Sequence, residues 1–372
     1  MILGRSELLS PADSRWPEML ARVRHDIYHS AGYHRSPQLG RDGDPYLFAY
    51  QEGDLAFLWP YLLAPVDPSG VSSPASLYDV TSVYGYAGPV ASSNVEFIQR
   101  GWHALLDHWR MQGAVSAFTR FHPLLGNQAL SEHFQDVSIG PAENQSRHCG
   151  ATISIDLTLD SPEQVRRYQK VLRQEIRKSR ELGFTTCLDE EWRHQDDFLR
   201  LYRSTMMRRE GKSEYLIDAN WLTRFRESVG CGARLFVTKY DGVVAAALLA
   251  MEYGPFLHAH LTGINADLVA YSPLKVLLDD VRQWGTERSL QSFHLGGGLG
   301  GQQDSLFQFK RRFSPLVHEF SIGAWILKPL EYRELSLARQ QGLREQGIDV
   351  SDAGFFPAYR YQAELPLAAS TP

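Results

Sequence analysis

The residues best equipped for chemistry lie in Phe293–Pro315, FHLGGGLGGQQDSLFQFKRRFSP. Five of the six residues from Gly296 to Gly301 are glycine, and Lys310-Arg311-Arg312 follows between Phe309 and Phe313. The spelling satisfies GxGxxG, but a dinucleotide loop needs a first βα turn and an acidic residue about 20 positions on. Only Asp304 and Glu319 follow, neither suitably placed, and Gln302 after Gly301 breaks the phosphate-loop signature. Five glycines exceed what a plain turn needs, so Gly297 and Gly298 read as backbone that lets a ligand approach closely. Asp304-Ser305 predicts a capped helix over Ser305–Phe313, with Asp304 also open to substrate. Positions 306, 309, 310 and 313 share one helical face, which turns Lys310 inward beside Phe309. An inward lysine needs an anion unless its head snorkels to solvent.

A second cluster is basic. Arg166, Lys170, Arg173, Arg177 and Arg180 recur at steps of 4, 3, 4 and 3, one stripe of a helix predicted over Pro162–Leu182. Residues 161–182 hold seven basic and three acidic side chains. Such a stripe is either a solvated face or a contact for polyphosphate, RNA backbone or a nucleotide diphosphate. Arg208, Arg209 and Lys212 form a smaller group that could line the same face. The loop YDVTSVYGYAGPV (Tyr78–Val90) is rich in tyrosine and glycine. No covalent nucleophile stands out: GxSxG is missing, and Cys149, Cys187 and Cys231 have no evident histidine partner. Asp79 and Asp304 are possible general bases, helix capping is the favoured role for Asp304, and no base is assigned, since a hydroxyl or phosphate of the substrate could serve. His258 and His260 share a strand face, but a third ligand is not evident and packed histidines are expected. His25, His29 and His34 lack the HExxH glutamate, so no metal is predicted.

These side chains need a scaffold. The 372 residues carry a formal charge of −5, with 43% hydrophobic and 22% charged residues, a globular profile. That balance excludes a broadly basic coat and confines any nucleic-acid contact to a patch. Odd, scattered cysteines point to neither disulfides nor structural zinc. The longest apolar run, Val243–Met251, is half of what spans a bilayer, and a reducing cytoplasm is the expected compartment. Helices are predicted at Trp16–Tyr28, Ser93–Gln112, Pro162–Leu182, Gln195–Arg208, Asn220–Val229 and Leu274–Arg288. Strands are predicted at Tyr46–Tyr50, Leu55–Ala64, Ala114–Arg120, Ala151–Leu157, Ala233–Tyr240, Val243–Glu252, Phe256–Thr262, Gln291–Leu295 and Val317–Leu327. Asp241-Gly242 reads as a two-residue hairpin turn. The order is mixed α/β, α+β-like, without strict βαβ alternation.

Together with VYGYAGP (Val83–Pro89), QEIRKSRELG (Gln174–Gly183) and HLTGINADLVAYSPLKVLL (His260–Leu278), the glycine–FK segment resembles the Fem-type aminoacyltransferases of the GNAT superfamily. The resemblance covers most of the chain and is strongest over residues 160–325. It implies two tandem GNAT-like domains, 1–158 and 159–372, each a mixed twisted sheet flanked by helices. It also implies transfer of an aminoacyl group from tRNA to an amine of a peptide or peptidoglycan-precursor-like acceptor, with no cofactor beyond aminoacyl-tRNA. By motif, Phe309 and Lys310 match the F-K pair at the reaction centre, and Tyr84 and Tyr86 match the cleft-facing tyrosine loop. The tRNA contacts would then fall to Arg166, Lys170, Arg173, Arg177, Arg180 and Arg208. The coiled-coil arm of some members is missing. The rival on the same fold is a CoA-dependent N-acyltransferase; its Q/RxxGxG/A loop is absent from Leu261–Pro273, which holds one glycine.

Overall fold

A computed structural model of the chain describes residues 4–40, 42–67, 76–132, 147–209, 215–348 and 355–361. Its strands are β1 (Arg5–Leu9), β2 (Asp44–Glu52), β3 (Leu55–Pro65), β4 (Tyr78–Thr81), β5 (Val90–Ala91), β6 (Ala114–Arg120), β7 (Arg147–Asp156), β8 (Thr185–Leu188), β9 (Ala233–Tyr240), β10 (Val243–Tyr253), β11 (Phe256–Ile264), β12 (Ser292–Gly297) and β13 (Val317–Ile326). Its helices are α1 (Arg15–Leu20), α2 (Ala31–Arg35), α3 (Val95–Met111), α4 (Ala129–Glu132), α5 (Ser161–Arg166), α6 (Lys170–Glu181), α7 (Gln195–Arg208), α8 (Ala219–Val229), α9 (Pro273–Glu287), α10 (Ser305–Arg311) and α11 (Pro329–Glu345). The fold is mixed α/β, a large mixed sheet flanked by helices.

The two predicted halves share that sheet. Its order is β1-β2-β3-β4-β6-β13-β7-β12-β11-β10-β9-β8, with β5 on β3. Strand β13, late in the chain, forms the seam by pairing antiparallel with both β6 and β7. Its Trp325 completes the early core, meeting Trp59 at 5.8 Å and Trp102 at 5.8 Å between ring centroids. Each half contains one parallel pair reached through a helix: β4 with β6 across α3, and β11 with β12 across α9.

Local chemistry explains the elements. Asn94 caps α3 by accepting from Phe97 N at 2.9 Å. The β9–β10 hairpin turns where Asp241 and Gly242 both take positive φ, as its two-residue spelling predicts. The apolar run in β10 reflects burial on two faces. Ala247, Leu249 and Met251 pack with α7 and α8, whereas Ala246, Leu248 and Ala250 pack with α6 and α9.

Three expectations are corrected. The helix predicted over Trp16–Tyr28 stops at Leu20, because Asp26 instead caps a 3-10 turn over Ile27–His29. The Pro162–Leu182 helix is broken at residues 167–169. There Tyr168 turns inward to Asp279, 2.8 Å away, and Gln169 N–H donates to Arg312 O at 2.9 Å. The Tyr78–Val90 loop contains β4 and β5, and β1, β8 and α11 are additional elements.

Candidate active site

Strand β12 delivers the glycine segment and α10 returns Lys310 to it. Asp304 caps α10 by accepting from Phe307 N at 2.9 Å, and it accepts from Leu299 N at 3.0 Å, which folds the loop against the helix. A Cβ on Gly298 would lie 2.1 Å from Gln302 O and 2.2 Å from Asp304 Oδ1, and one on Gly297 would lie 2.6 Å from Ala151 O. The close approach they allow is made by the chain itself.

Lys310 Nζ donates to Gly297 O at 2.6 Å. Burial pulls its pKa down to about 8; the Asp304 charge opposes that shift and the Arg209 charge adds to it. The neighbouring Gly296 has φ +76, and a Cβ there would sit 3.3 Å from Nζ and 3.8 Å from the Tyr86 hydroxyl. Glycine thus leaves an ammonium and a phenol facing each other across a gap. Burial raises the Tyr86 hydroxyl to about 12, against the opposing pull of Arg120 and the Gly297 N–H, so it stays a proton donor at neutral pH. Phe309 is half-buried and packs toward the core, 5.6 Å from Phe313 between ring centroids. Tyr84 packs against His260 and Tyr215, each at 5.8 Å between centroids, and its carbonyl accepts from the Tyr33 hydroxyl. Lys310, Phe309, Tyr86, Gly297, Gly298 and Asp304 therefore come together, with Tyr84 one position beyond Gly85.

Behind Tyr86 lies an unexpected polar core. Asp26 Oδ2 accepts from His122 Nε2 and His258 Nε2, each at 2.7 Å, and Asp26 Oδ1 accepts from Ile27 N at 2.6 Å. Asp26 and His122 are both wholly buried and His258 is 1% exposed. Burial pushes the Asp26 carboxyl up, but the two imidazoles outweigh it and hold the group well below the usual carboxylate range. The three residues bring one ligating atom each within 4.8 Å, a grouping that could hold a metal. The hydrogen bonds point elsewhere. His122 Nδ1 accepts from Leu125 N–H at 3.2 Å, so its Nε2 must carry the proton given to Asp26 and has no lone pair for a cation. The sequence showed His258 and His260 on one strand but not Asp26 or His122, which lie 232 and 136 positions from His258 in the chain; no local pattern signals them.

The remaining candidates are placed elsewhere. Asp79 is 3% exposed and accepts from Ser116 Oγ at 2.7 Å, from Tyr359 and from Arg360 Nε at 2.5 Å, anchoring the Tyr359–Arg360 turn. The basic stripe is divided between α5 and α6 and largely paired. Arg166 bonds Glu163, Arg177 lies 3.4 Å from Glu181, and Arg180 bridges Asp279 and Asp280. Arg173 donates to the Arg166 and Tyr168 carbonyls at 2.9 and 3.0 Å, closing the end of α5. Lys170 is exposed at the start of α6. Arg208, bonded to Ile264 O at 3.0 Å, edges an open cleft of about 830 Å³ with Arg200, Arg203 and Met207. Lys212 lies outside the described residues.

Residues 166–311 match the family of the acetyltransferase (GNAT) domain. Among solved structures the chain is similar to FemX, at 13% identity and TM-score 0.57, covering 78% of this chain and 89% of that one. It is also similar to a conserved protein of unknown function from Bacteroides thetaiotaomicron, at 9% identity and TM-score 0.51, covering 88% and 100%. No curated protein matches the sequence. Residues 166–311 therefore match an acetyltransferase (GNAT) domain, and the chain shares its overall fold with FemX. No helix among the described residues is long and apolar enough to cross a membrane.

Proposed function

We propose that the protein moves an aminoacyl group from aminoacyl-tRNA to an amine of a peptide or peptidoglycan-precursor-like acceptor, forming an amide bond. The observation that carries this reading is the Lys310 ammonium held on Gly297 O beside the Tyr86 hydroxyl, at the end of β12. Attack of an amine on an ester builds negative charge on the carbonyl oxygen. An ammonium has three N–H donors. One is spent on Gly297 O, which fixes the head group and leaves two for the developing oxyanion. Tyr86, a neutral phenol at the same point, can orient the ester or the amine. No step calls for a cofactor beyond the charged tRNA.

The GNAT match also suits a CoA-dependent N-acyltransferase, and the start of α9 weighs against that second reading. A diphosphate cradle there would need free amides at the helix N-terminus. Pro273 has none, Lys275 N–H is bonded to Ser272 O at 2.9 Å, and the Glu175 carboxylate lies 3.0 Å from Lys275 Nζ. A carboxylate on the nearest lysine is the wrong charge for an anion site. Incubation with mixed charged tRNAs and amine acceptors, read by mass spectrometry, tests the proposal. Product lost on RNase treatment is expected; product formed from acyl-CoA alone would overturn it.

A further inference from the structure

The group that takes the amine's proton is identified by following tautomers. Strand β12 alternates: Phe293 and Leu295 enter the core with α9, and His294 turns to the other face. Strands β11 and β12 pair only from Phe256–His258 against Ser292–His294, so His258 and His294 form the last rung before the strands part. Their Nδ1 atoms are 3.3 Å apart. Because Asp26 offers only lone pairs, His258 carries a proton on Nε2 and, as a neutral imidazole, presents a bare Nδ1. His294 must then donate from its own Nδ1, and its Nε2 is left with a lone pair. That Nε2 is buried, has no hydrogen-bond partner, and belongs to a side chain 2% exposed.

We propose that His294 Nε2 is the proton acceptor serving the Lys310–Tyr86 site, fixed in that tautomer by Asp26 acting through His258. The claim rests on the acyl-transfer reading above. His294 lies two residues before Gly296, the glycine beside Lys310 Nζ and the Tyr86 hydroxyl, and its ring is 5.2 Å from that of Tyr86. Shut off from bulk water, it receives a proton from within the cleft. The groups facing His294 are His258 on β11, His318 on β13, Lys310 on α10, Tyr86 on the loop and, further off, His122. Burial and those neighbouring charges hold its pKa well below the ordinary imidazole value, so it rests neutral. In the step, the acceptor nitrogen forms the N–C bond and the acyl C–O bond to the tRNA ribose breaks. The amine proton moves to His294 Nε2 and then to the departing ribose oxygen, which returns the imidazole to neutral.

Two measurements test this on the full chain. Selective ¹⁵N-histidine spectra should show His294 protonated at Nδ1 and bare at Nε2; the reverse assignment would overturn the inference, whatever the enzyme turns over. Single-turnover transfer by His294→Gln, which keeps a donor for His258, should fall on the order of 10²- to 10⁴-fold and lose its acid limb. His258→Gln should lower kcat with KM unchanged and mix the His294 tautomers. A His294→Gln rate within threefold of wild type, with the acid limb intact, would remove His294 from the reaction. One equivalent of metal retained by wild type and lost by Asp26→Asn would also overturn the relay. Absence of transfer by wild type from either donor would instead count against the acyl-transfer reading, and the nitrogen shifts would still judge the tautomer.

Discussion

Lys310→Ala is the most direct perturbation of the site, and its size follows from the geometry. The head group spends one donor on Gly297 O and keeps two. Removing a single oxyanion donor costs about 10²- to 10³-fold in rate, roughly 2.7 to 4 kcal/mol. With a pKa of about 8, Lys310 is about nine-tenths charged at pH 7 and about one-tenth charged at pH 9. An ammonium donor therefore gives an alkaline limb: the transfer rate is flat below pH 8 and drops about tenfold per unit above it. Lys310→Arg separates charge from structure. Its guanidinium stays protonated above pH 12, so whatever activity survives should lose the limb. The assay is single-turnover transfer from pH 6 to 9.5, with folding checked by thermal melts at each pH. A Lys310→Ala rate within threefold of wild type, or an alkaline limb unmoved in Lys310→Arg, would refute the argument that the ammonium does the chemistry.

Lys310 also leaves a thermodynamic signature. It binds its proton less tightly folded, at about 8, than the ordinary value of 10.5, so between those values the unfolded chain holds more protons and stability rises with pH. Below pH 8 the penalty is complete. After allowing for partial exposure, Lys310→Met should stabilise the fold at pH 7 by about 1 to 2 kcal/mol and flatten that slope; a lower melting midpoint at pH 7 would contradict it. Asp79→Asn should cost about 1 to 2 kcal/mol by breaking the ion pair between the buried Asp79 carboxylate and the partly exposed Arg360, and leave transfer per folded molecule unchanged. A kinetic loss above tenfold with an unchanged melt would return Asp79 to the substrate. Neutralising Arg166, Lys170 and Arg177 together should leave the melt within about 0.5 kcal/mol and shift the salt slope of tRNA binding by up to about 2. An unchanged slope would make those side chains a solvated face.

How far the sequence carried this reading depended on the range of each interaction. Gln195–Arg208, Ala114–Arg120 and Ala233–Tyr240 are bounded by local patterns, and the structure places them at the predicted residues. The α5–α6 break was hidden because its causes are tertiary: Tyr168 reaches Asp279, and Arg173 turns back onto main-chain carbonyls that an unbroken helix would have used internally. Helical periodicity alone assigns such an arginine to the surface. The glycines exposed a different limit. Composition reports that something approaches the backbone closely, but whether it is a ligand or Gln302, Asp304 and Ala151 of the same chain depends on three-dimensional neighbours. His258 was visible as half of a strand pair; Asp26 and His122, which give it a role, come from residues far apart in the chain.

The acid and base roles converge because both groups are tuned by burial in opposite functional senses. Desolvation weakens the protonated form of every base it encloses, so it lowers Lys310 and His294 alike. Starting from the ordinary lysine value, Lys310 falls only to about 8 and keeps its proton at neutral pH; His294 starts near 6.5, ends well below it, and keeps its lone pair. One enclosure, acting on two side chains with different intrinsic affinities, thus supplies a cationic donor and a neutral acceptor, and the Lys310 charge discourages His294 from titrating out of role. A cleft open to water would lose this separation for His294, whose pKa would return toward neutrality and leave part of it already protonated. Replacing Tyr86 by alanine removes the ring that covers His294, so the acid limb of transfer should move to higher pH, toward 6.5. A limb that stayed in place would show that Tyr86 is not what keeps water from the base.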